Sequence, residues 1–328
     1  MAAPTREAEV GLDVRGELPA ALDGAYVQTA ARGVCGIRLG GGGARWFRGP
    51  RPVGLVPPDP LVARPVFDGK RWHTAMSHPG LGYAEHVVRG TGGELKSATP
   101  FPAAGVPVLA VAGRFVVVVE SGPYYSRAAE LVGVRDPYVH RDDRPVRIGL
   151  IDGGEPCWFE VGTGEVWHAV NAHTELGRVV VDAVWAPGVL RRCTLDLATG
   201  AVRTTTLPSL DIGGVDPRVA NRRHRFVFGS AGNSLVRYDV ALGHRSVREL
   251  PTTPSQPVFI PRGQDEGDGW LMSLVGDRLL VLDAEDLAAR PVAEVTLPFA
   301  VPATPRAQWV TALELHTAPE LRGEHRGR

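Results

Sequence analysis

A repeat restricts the folds open to this chain more than any single residue does. Three segments read "TLDLATGAVRTTTLP" from Thr194, "RYDVALGHRSVRELP" from Arg237 and "LLVLDAEDLAARPVAEVTLP" from Leu279. Each is a strand ending in Asp, a turn, a second strand and a closing Leu-Pro. Asp196, Asp239 and Asp283 recur at intervals of 43 and 44 residues. That spacing falls within the roughly 40–50 residues of a propeller blade, a four-stranded sheet that buries its faces only against neighbouring sheets and so must close into a ring. "WFEVGTGEVWHAV" from Trp158 and "HVVRGTGGELKSATPFP" from His86 read as weaker copies of the same hairpin. A β-sandwich with similar hairpins is the alternative, and the shared Asp-to-Leu-Pro spacing favours the propeller.

The expected fold class is therefore all-β, a β-propeller. Forty glycines and twenty-eight prolines, scattered along the chain, leave little room for long helices. "GRFVVVVES", "GRVVVDAVW" and "RHRFVFGS" are short β-branched or aromatic runs bounded by Gly or charge, as strands are. "ELPAALDG" is expected to be a loop before the first strand, and "GIRLGGGGARWF" a Gly-rich hairpin. That Gly run has neither the GxGxxG nor the GxxxxGK[ST] spacing and no helical pattern after it, so it does not read as a phosphate cradle. The pattern fades after Trp309, which predicts a propeller domain over residues 1–311 and a flexible tail over 312–328.

Thirty-six basic residues balance thirty-six acidic ones, so no net field draws the chain to nucleic acid, and a small neutral or apolar partner is expected. Cys35, Cys157 and Cys193 are odd in number and far apart, which fits unpaired thiols in a reducing compartment. The opening "MAAPTREAE" has charge where a leader needs an apolar run, and the longest apolar stretch, residues 106–120, is broken by Arg114 and too short to span a bilayer. A cytoplasmic protein without a transmembrane segment is expected.

Among the histidines, His168 in "EVWHAVN" reads either as a packed, hydrogen-bonded core residue or as a metal ligand. His78, beside Pro79 in an expected loop, has the same two readings, with His73 a weaker competitor. His173 and His224 read as surface or strand-edge residues, and His316 as part of the tail. Trp46, Trp158, Trp167, Trp270 and Trp309 read as blade packing.

Several phrases in order across residues 16–310 carry a resemblance: "GELPAALDGAYV", "RWFRG", "HTAMSHPG", "CWFEV" with "VWHAVNAH", "VDPRVANRRHRFVFG", "PVFIPR" and "GDGWLMSLV". Together they resemble the carotenoid cleavage oxygenase, or retinal pigment epithelial membrane protein, family. The resemblance implies a seven-bladed propeller with Fe(2+) on its axis, held by four histidines from different blades. Glutamates behind three of the imidazoles orient them, and an apolar tunnel brings a polyene and O2 together for cleavage of a C=C bond into two carbonyl products. Neutral imidazoles suit Fe(II) and leave coordination positions open. A carboxylate behind an imidazole fixes its tautomer.

Carried over residue by residue, His78 matches the first metal ligand and His168 the third. Pro107 stands at the second ligand position and Arg306 at the fourth. Gln256 occupies the place of one glutamate, and the shortened stretch before His78 omits another. The hairpin after His78 is shortened too, which allows fewer or incomplete blades. Proline offers no donor atom, and a guanidinium stays protonated. One unit charge about 4 Å from a divalent ion, at an effective dielectric near 20, is repelled by roughly 8 kcal/mol. No acidic residue matches a position that would complete a two-histidine, one-carboxylate set. The resemblance thus implies an Fe(II)-dependent carotenoid or apocarotenoid dioxygenase whose iron binding is impaired. An iron-free propeller that holds an apolar ligand is the second reading, and both stay open at this point. An apolar substrate also raises peripheral membrane contact.

Overall fold

The computed structural model describes residues 10–30, 33–49, 108–122, 144–303 and 307–313, strand segments at 64–67, 72–78, 83–89 and 95–98, and a few residues between 124 and 139. Regular structure there is almost entirely strand, as expected. The one 3-10 helix among the described residues is the single turn Pro217–Val219, and no described helix is long and apolar enough to cross a membrane.

The repeat has a structural cause. Each repeated hairpin forms the third and fourth strands of an antiparallel meander. Val189–Asp196 and Val202–Ser209 complete the sheet begun by Val166–Glu175 and Arg178–Trp185. Ser234–Asp239 and His244–Glu249 follow Ile212–Gly214 and Phe226–Ala231 in the same way. Arg278–Asp283 and Ala293–Thr296 follow Val258–Pro261 and Gly269–Val275. In each case the recurring Asp ends the third strand and its Oδ1 caps the turn, an Asx-type closure. Asp196 accepts from the Ala198 and Thr199 amides at 3.2 and 3.0 Å, Asp239 from Ala241 and Leu242 at 3.0 and 3.1 Å, and Asp283 from Glu285 at 2.9 Å. Its other oxygen faces an arginine from earlier in the same sheet: Arg178 at 3.4 Å, Arg225 at 2.8 Å and Arg262 at 3.2 Å. One carboxylate holds both the turn and a neighbouring strand, so its spacing cannot drift.

One expected copy of the hairpin is not a hairpin. Cys157–Thr163 pairs with Pro145–Ile151 and closes a sheet whose other strands are Phe115–Glu120 and Val108–Ala112. Val166–Glu175 instead opens the next sheet by pairing with Arg178–Trp185. Gly162 and Gly164, at φ 137° and 119°, lie in a backbone region that favours glycine and carry the chain out of one sheet into the next. Tyr83–Arg89 and Leu95–Ala98 do pair as expected, in a sheet with Arg64–Phe67 and Trp72–His78.

The chain divides into two compact units, Ala75–Ala231 with Tyr238–Arg245, and Met1–Thr74 with Gly232–Arg237 and Ser246–Arg328. In the first, the opening strands Val108–Ala112, Val166–Glu175 and Ile212–Gly214 of three successive sheets lie side by side, as do the closing strands Cys157–Thr163 and Val202–Ser209. Inner strand beside inner strand and outer beside outer is how blades stack around a ring. Between the sheets a shared core forms from Val117, Ile148, Phe159, Val181, Trp185 and Leu195. Trp185 is 2% exposed and fills most of its neighbourhood with rigid aromatic surface.

In the second unit nine strands form one sheet. Its order is Val258–Pro261, Gly269–Val275, Arg278–Asp283, Ala293–Thr296, Val10–Gly16, Gly43–Gly49, Gly33–Gly40, Gly24–Ala30 and Ala307–Thr311. The expected Gly-rich hairpin is there, with Gly40 opposite Gly43. The loop after Gly16 does not precede the first strand, as expected, but follows one. Val10–Gly16 pairs with Ala293–Thr296 on one side and Gly43–Gly49 on the other. Leu12 and Val14 pack on the core while Asp13 and Arg15 face out, the period-two alternation of a half-buried strand. The expected tail lies, beyond Leu313, outside the described residues.

Candidate functional site

His168 stands on the opening strand Val166–Glu175, where the register with Arg178–Trp185 slips twice, between Val166 and His168 and between Ala169 and Asn171. Such bulges re-aim side chains. Trp167 is the residue left out of register at the first slip, which explains why it is 40% exposed and not the packing residue expected. His168 is buried, and its Nε2 meets the Gly213 carbonyl on the opening strand of the next sheet. A ring nitrogen facing a carbonyl carries a proton and donates it, which leaves Nδ1 as the nitrogen with a lone pair. Gly213 itself is tightly enclosed: a methyl group there would lie 2.7 Å from Leu210 Cδ2 and 2.9 Å from the Phe228 carbonyl.

His78 is the last residue of the strand Trp72–His78, opposite Tyr83, and does not lie in the expected loop. Strand pairing extends to the residue before Pro79 because Tyr83–Arg89 returns alongside it. The side chains of His78 and His73 lie outside the described residues, as do Pro107, Arg306 and His316. Gln256 precedes the strand Val258–Pro261. Its Oε1 accepts from the Ala307 amide at 3.2 Å, and its carbonyl accepts from Tyr26 Oη at 3.4 Å. The residue thus anchors the chain where it enters Ala307–Thr311. Trp46 and Trp270 are buried in the core as expected, Trp309 packs at its margin, and Trp158 lies under the Arg147 guanidinium at 4.7 Å.

A buried polar cluster was not anticipated. His173 and His224, expected at the surface, are 3% and 5% exposed. They lie on the polar side of the sheet, away from the Trp185 core. Asn171, Asp182 and Arg192 are cross-strand partners on three adjacent strands. Arg192 grips Asp182 with Nε to Oδ1 at 2.8 Å and Nη2 to Oδ2 at 2.7 Å. His224 Nε2 lies 3.1 Å from Asp182 Oδ2, off the line of a good hydrogen bond. The two imidazoles meet edge to face, with centroids 6.0 Å apart. Burial alone would raise the Asp182 carboxyl; the hydrogen bonds from Arg192, with the adjacent His224, outweigh it and hold the group below the usual carboxylate range. The same pairing raises Arg192. Burial, followed by the neighbouring His224, pushes His173 below an ordinary histidine. The sequence did carry a signal: Asp182 interrupts the apolar run of Arg178–Trp185, at the position that faces Arg192 across the sheet.

Both described cysteines are unpaired. Burial pushes the Cys193 thiol up to about 11, so it stays protonated near neutrality. Among the described residues no group of three His, Cys, Asp or Glu side chains is arranged to hold a metal ion.

The chain matches the sequence profile described as Retinal pigment epithelial membrane protein over residues 74–311. It is 28% identical over 211 residues to the apocarotenoid-15,15'-oxygenase of Synechocystis, covering 51% of this chain and 43% of that protein. To the isoeugenol monooxygenase of Pseudomonas putida it is 30% identical over 232 residues, covering 52% of this chain and 48% of that protein. The chain thus spans about half the length of these relatives. The structure is similar to that of cobalt-substituted Synechocystis ACO, with a TM-score of 0.75 and 18% identity over 94% of this chain and 97% of that one. The fold is that of a β-propeller.

Proposed function

Since the chain belongs to the Retinal pigment epithelial membrane protein family, we propose that it takes an apolar conjugated alkene of the carotenoid or apocarotenoid class, and that its own residues no longer support iron-dependent cleavage of that alkene with O2. One observation carries the reading: the buried His168 directs its Nε2 proton at the Gly213 carbonyl instead of offering that nitrogen's lone pair. The donor set agrees. Of the four positions that hold Fe(2+) in the family, His78 and His168 keep an imidazole, while Pro107 and Arg306 supply none. These residues do not fit a four-histidine iron centre. The chain then acts as an apolar-ligand-binding propeller over residues 1–311, cytoplasmic, and collects its ligand by peripheral contact with a membrane.

The second reading is an active dioxygenase, oxidising a polyene C=C bond to carbonyl products. It is favoured by the family match, which spans both His78 and His168. Metal analysis of the purified full chain, followed by incubation with an apocarotenoid and Fe(II) under oxygen, separates the two. The binding reading expects far less than one iron per chain and a polyene absorbance that persists. One iron per chain with bleaching of the polyene overturns it. Pro107→His combined with Arg306→His is expected to raise iron affinity.

A further inference from the structure

Two hairpin tips in the unit Ala75–Ala231 with Tyr238–Arg245 carry leucines that their turns do not favour. Glu175 pairs with Arg178, so Leu176 and Gly177 form a two-residue loop, and their φ of 47° and 78° make it a type I′ turn. Asn-Gly suits such a turn, whereas the Cβ of a leucine is strained in the left-handed region. Leu176 is 95% exposed, so no packing within the chain offsets that strain. The second tip is best judged against its sister. In the turn at 196–200, Thr199 Oγ1 donates to Asp196 Oδ1 at 2.9 Å and accepts from the Ala201 amide at 3.2 Å. The matching place between Asp239 and Gly243 holds Leu242, which is 72% exposed and can make neither side-chain bond.

Both tips stand at one end of adjacent sheets. The Leu197 amide donates to the Gly177 carbonyl at 3.1 Å, which sets the exposed Leu197 beside Leu176. Arg223 reaches Glu175 at 3.4 Å, and the Val240 amide donates to the Arg225 carbonyl at 2.7 Å, which brings the Leu242 turn to the same end. His168 lies near the other end of its strand, roughly 25 Å away at the rise of a strand. Arginines surround the leucines. Glu175, Asp196 and Asp239 are each held by one, Arg223, Arg178 and Arg225 in turn. Arg222 and Arg245 are exposed and pair with no carboxylate among the described residues, so these two sheets end in surplus positive charge. The turn at 152–156 in the preceding sheet, with Asp152 and Glu155, has no apolar tip and lies outside the contact.

We propose that Leu176, Leu197 and Leu242 enter the acyl region of a bilayer whose anionic headgroups are met by Arg222 and Arg245. Apolar knobs on separate turns suit a fluid surface that closes around each of them, where a rigid partner would need a matching hollow for every one. Arginine suits the rim of such a contact, with its stem along the apolar layer and its guanidinium on a phosphate. The choice of a bilayer rests on the apolar-ligand reading above, since a conjugated alkene partitions into lipid. The face itself is assigned by turn geometry, exposure and charge.

Sedimentation of the full chain with vesicles tests this, using phosphatidylcholine alone and an equal mixture with phosphatidylglycerol. Binding is expected on the mixture, weaker on phosphatidylcholine alone and weaker in high salt. Leu176→Asn with Leu242→Thr should lower partition by roughly tenfold for each leucine. The same variant should unfold at higher denaturant, because both replacements suit their turns. Leu131→Ser with Val132→Ser, exposed on another segment, should partition as the wild type does. A wild-type chain that stays in solution with both vesicles, a Leu176 and Leu242 variant that partitions unchanged, or an equal loss in the Leu131 and Val132 variant overturns the docking. So does a lipid-free dimer that the Leu176 and Leu242 variant abolishes. Polyene retention is measured without vesicles. A chain that keeps its pigment yet fails to sediment breaks the docking alone, and one that sediments without pigment breaks the ligand reading alone.

Discussion

Asp182 and Asp196 stand on the same sheet, each paired with an arginine and each held below the usual carboxylate range, yet they are different kinds of residue. Asp196 caps a hairpin at the surface, and its carboxyl is lowered first by the Thr199 amide and hydroxyl, two groups only three residues away. Asp182 is 1% exposed, and burial works against its charge; Arg192 on the next strand and His224 in the loop before Phe226–Ala231 keep it ionised. The first answers to local geometry, the second to the assembled fold. A carboxylate with local partners can recur with the blade, whereas one with distant partners belongs to a single place in the molecule.

The largest effect expected from this contrast is in Asp182→Ala, which leaves the Arg192 guanidinium half-enclosed without its partner. A loss of about 3–5 kcal/mol in denaturant unfolding is expected. Replacing both partners with apolar residues, Asp182→Leu with Arg192→Met, should recover most of it. If Asp182→Ala unfolds at the same denaturant concentration as Asp196→Ala, the contrast between the two carboxylates fails. Next comes pH. His173, lowered from 6.5, contributes stability that is complete above that value and lost as pH falls below it. Asp182, lowered from 3.8, contributes stability that is present above 3.8 and lost as pH falls through its folded value. Thermal unfolding across pH 3–8 should therefore weaken in two separate windows, with the upper one missing in His173→Gln. The smallest effect is Asp196→Ala, where faster amide exchange at Ala198 and Thr199 is expected with little change in the global transition.

What could be read from the sequence follows the same division. The hairpins at Asp196, Asp239 and Asp283 were legible because each carboxylate closes a turn two or three residues ahead. The strand class was legible from β-branched runs, and the family resemblance from collinear phrases. The junction at Gly162–Gly164 was misread because a glycine turn between two strands looks alike whether the chain folds back or leaves the sheet. The burial of His173 and His224 was missed because their partners lie on other strands, and the exposure of Trp167 because a bulge adds one residue without marking the sequence. Of the expected metal ligands, His168 proved to be buried and bonded to a carbonyl that no spacing rule announces.

The strand Val10–Gly16 has a consequence for how the protein is made. Its partners on one side arrive with Gly43–Gly49, but on the other Asp13 must wait for Thr296. During synthesis an open row of amides and carbonyls is therefore displayed until residues 293–296 have left the ribosome. Such delayed long-range pairing slows assembly and invites strands from other nascent chains. The charged, outward-facing Asp13 and Arg15 on that ribbon are the kind of residues that discourage such guests in the interval.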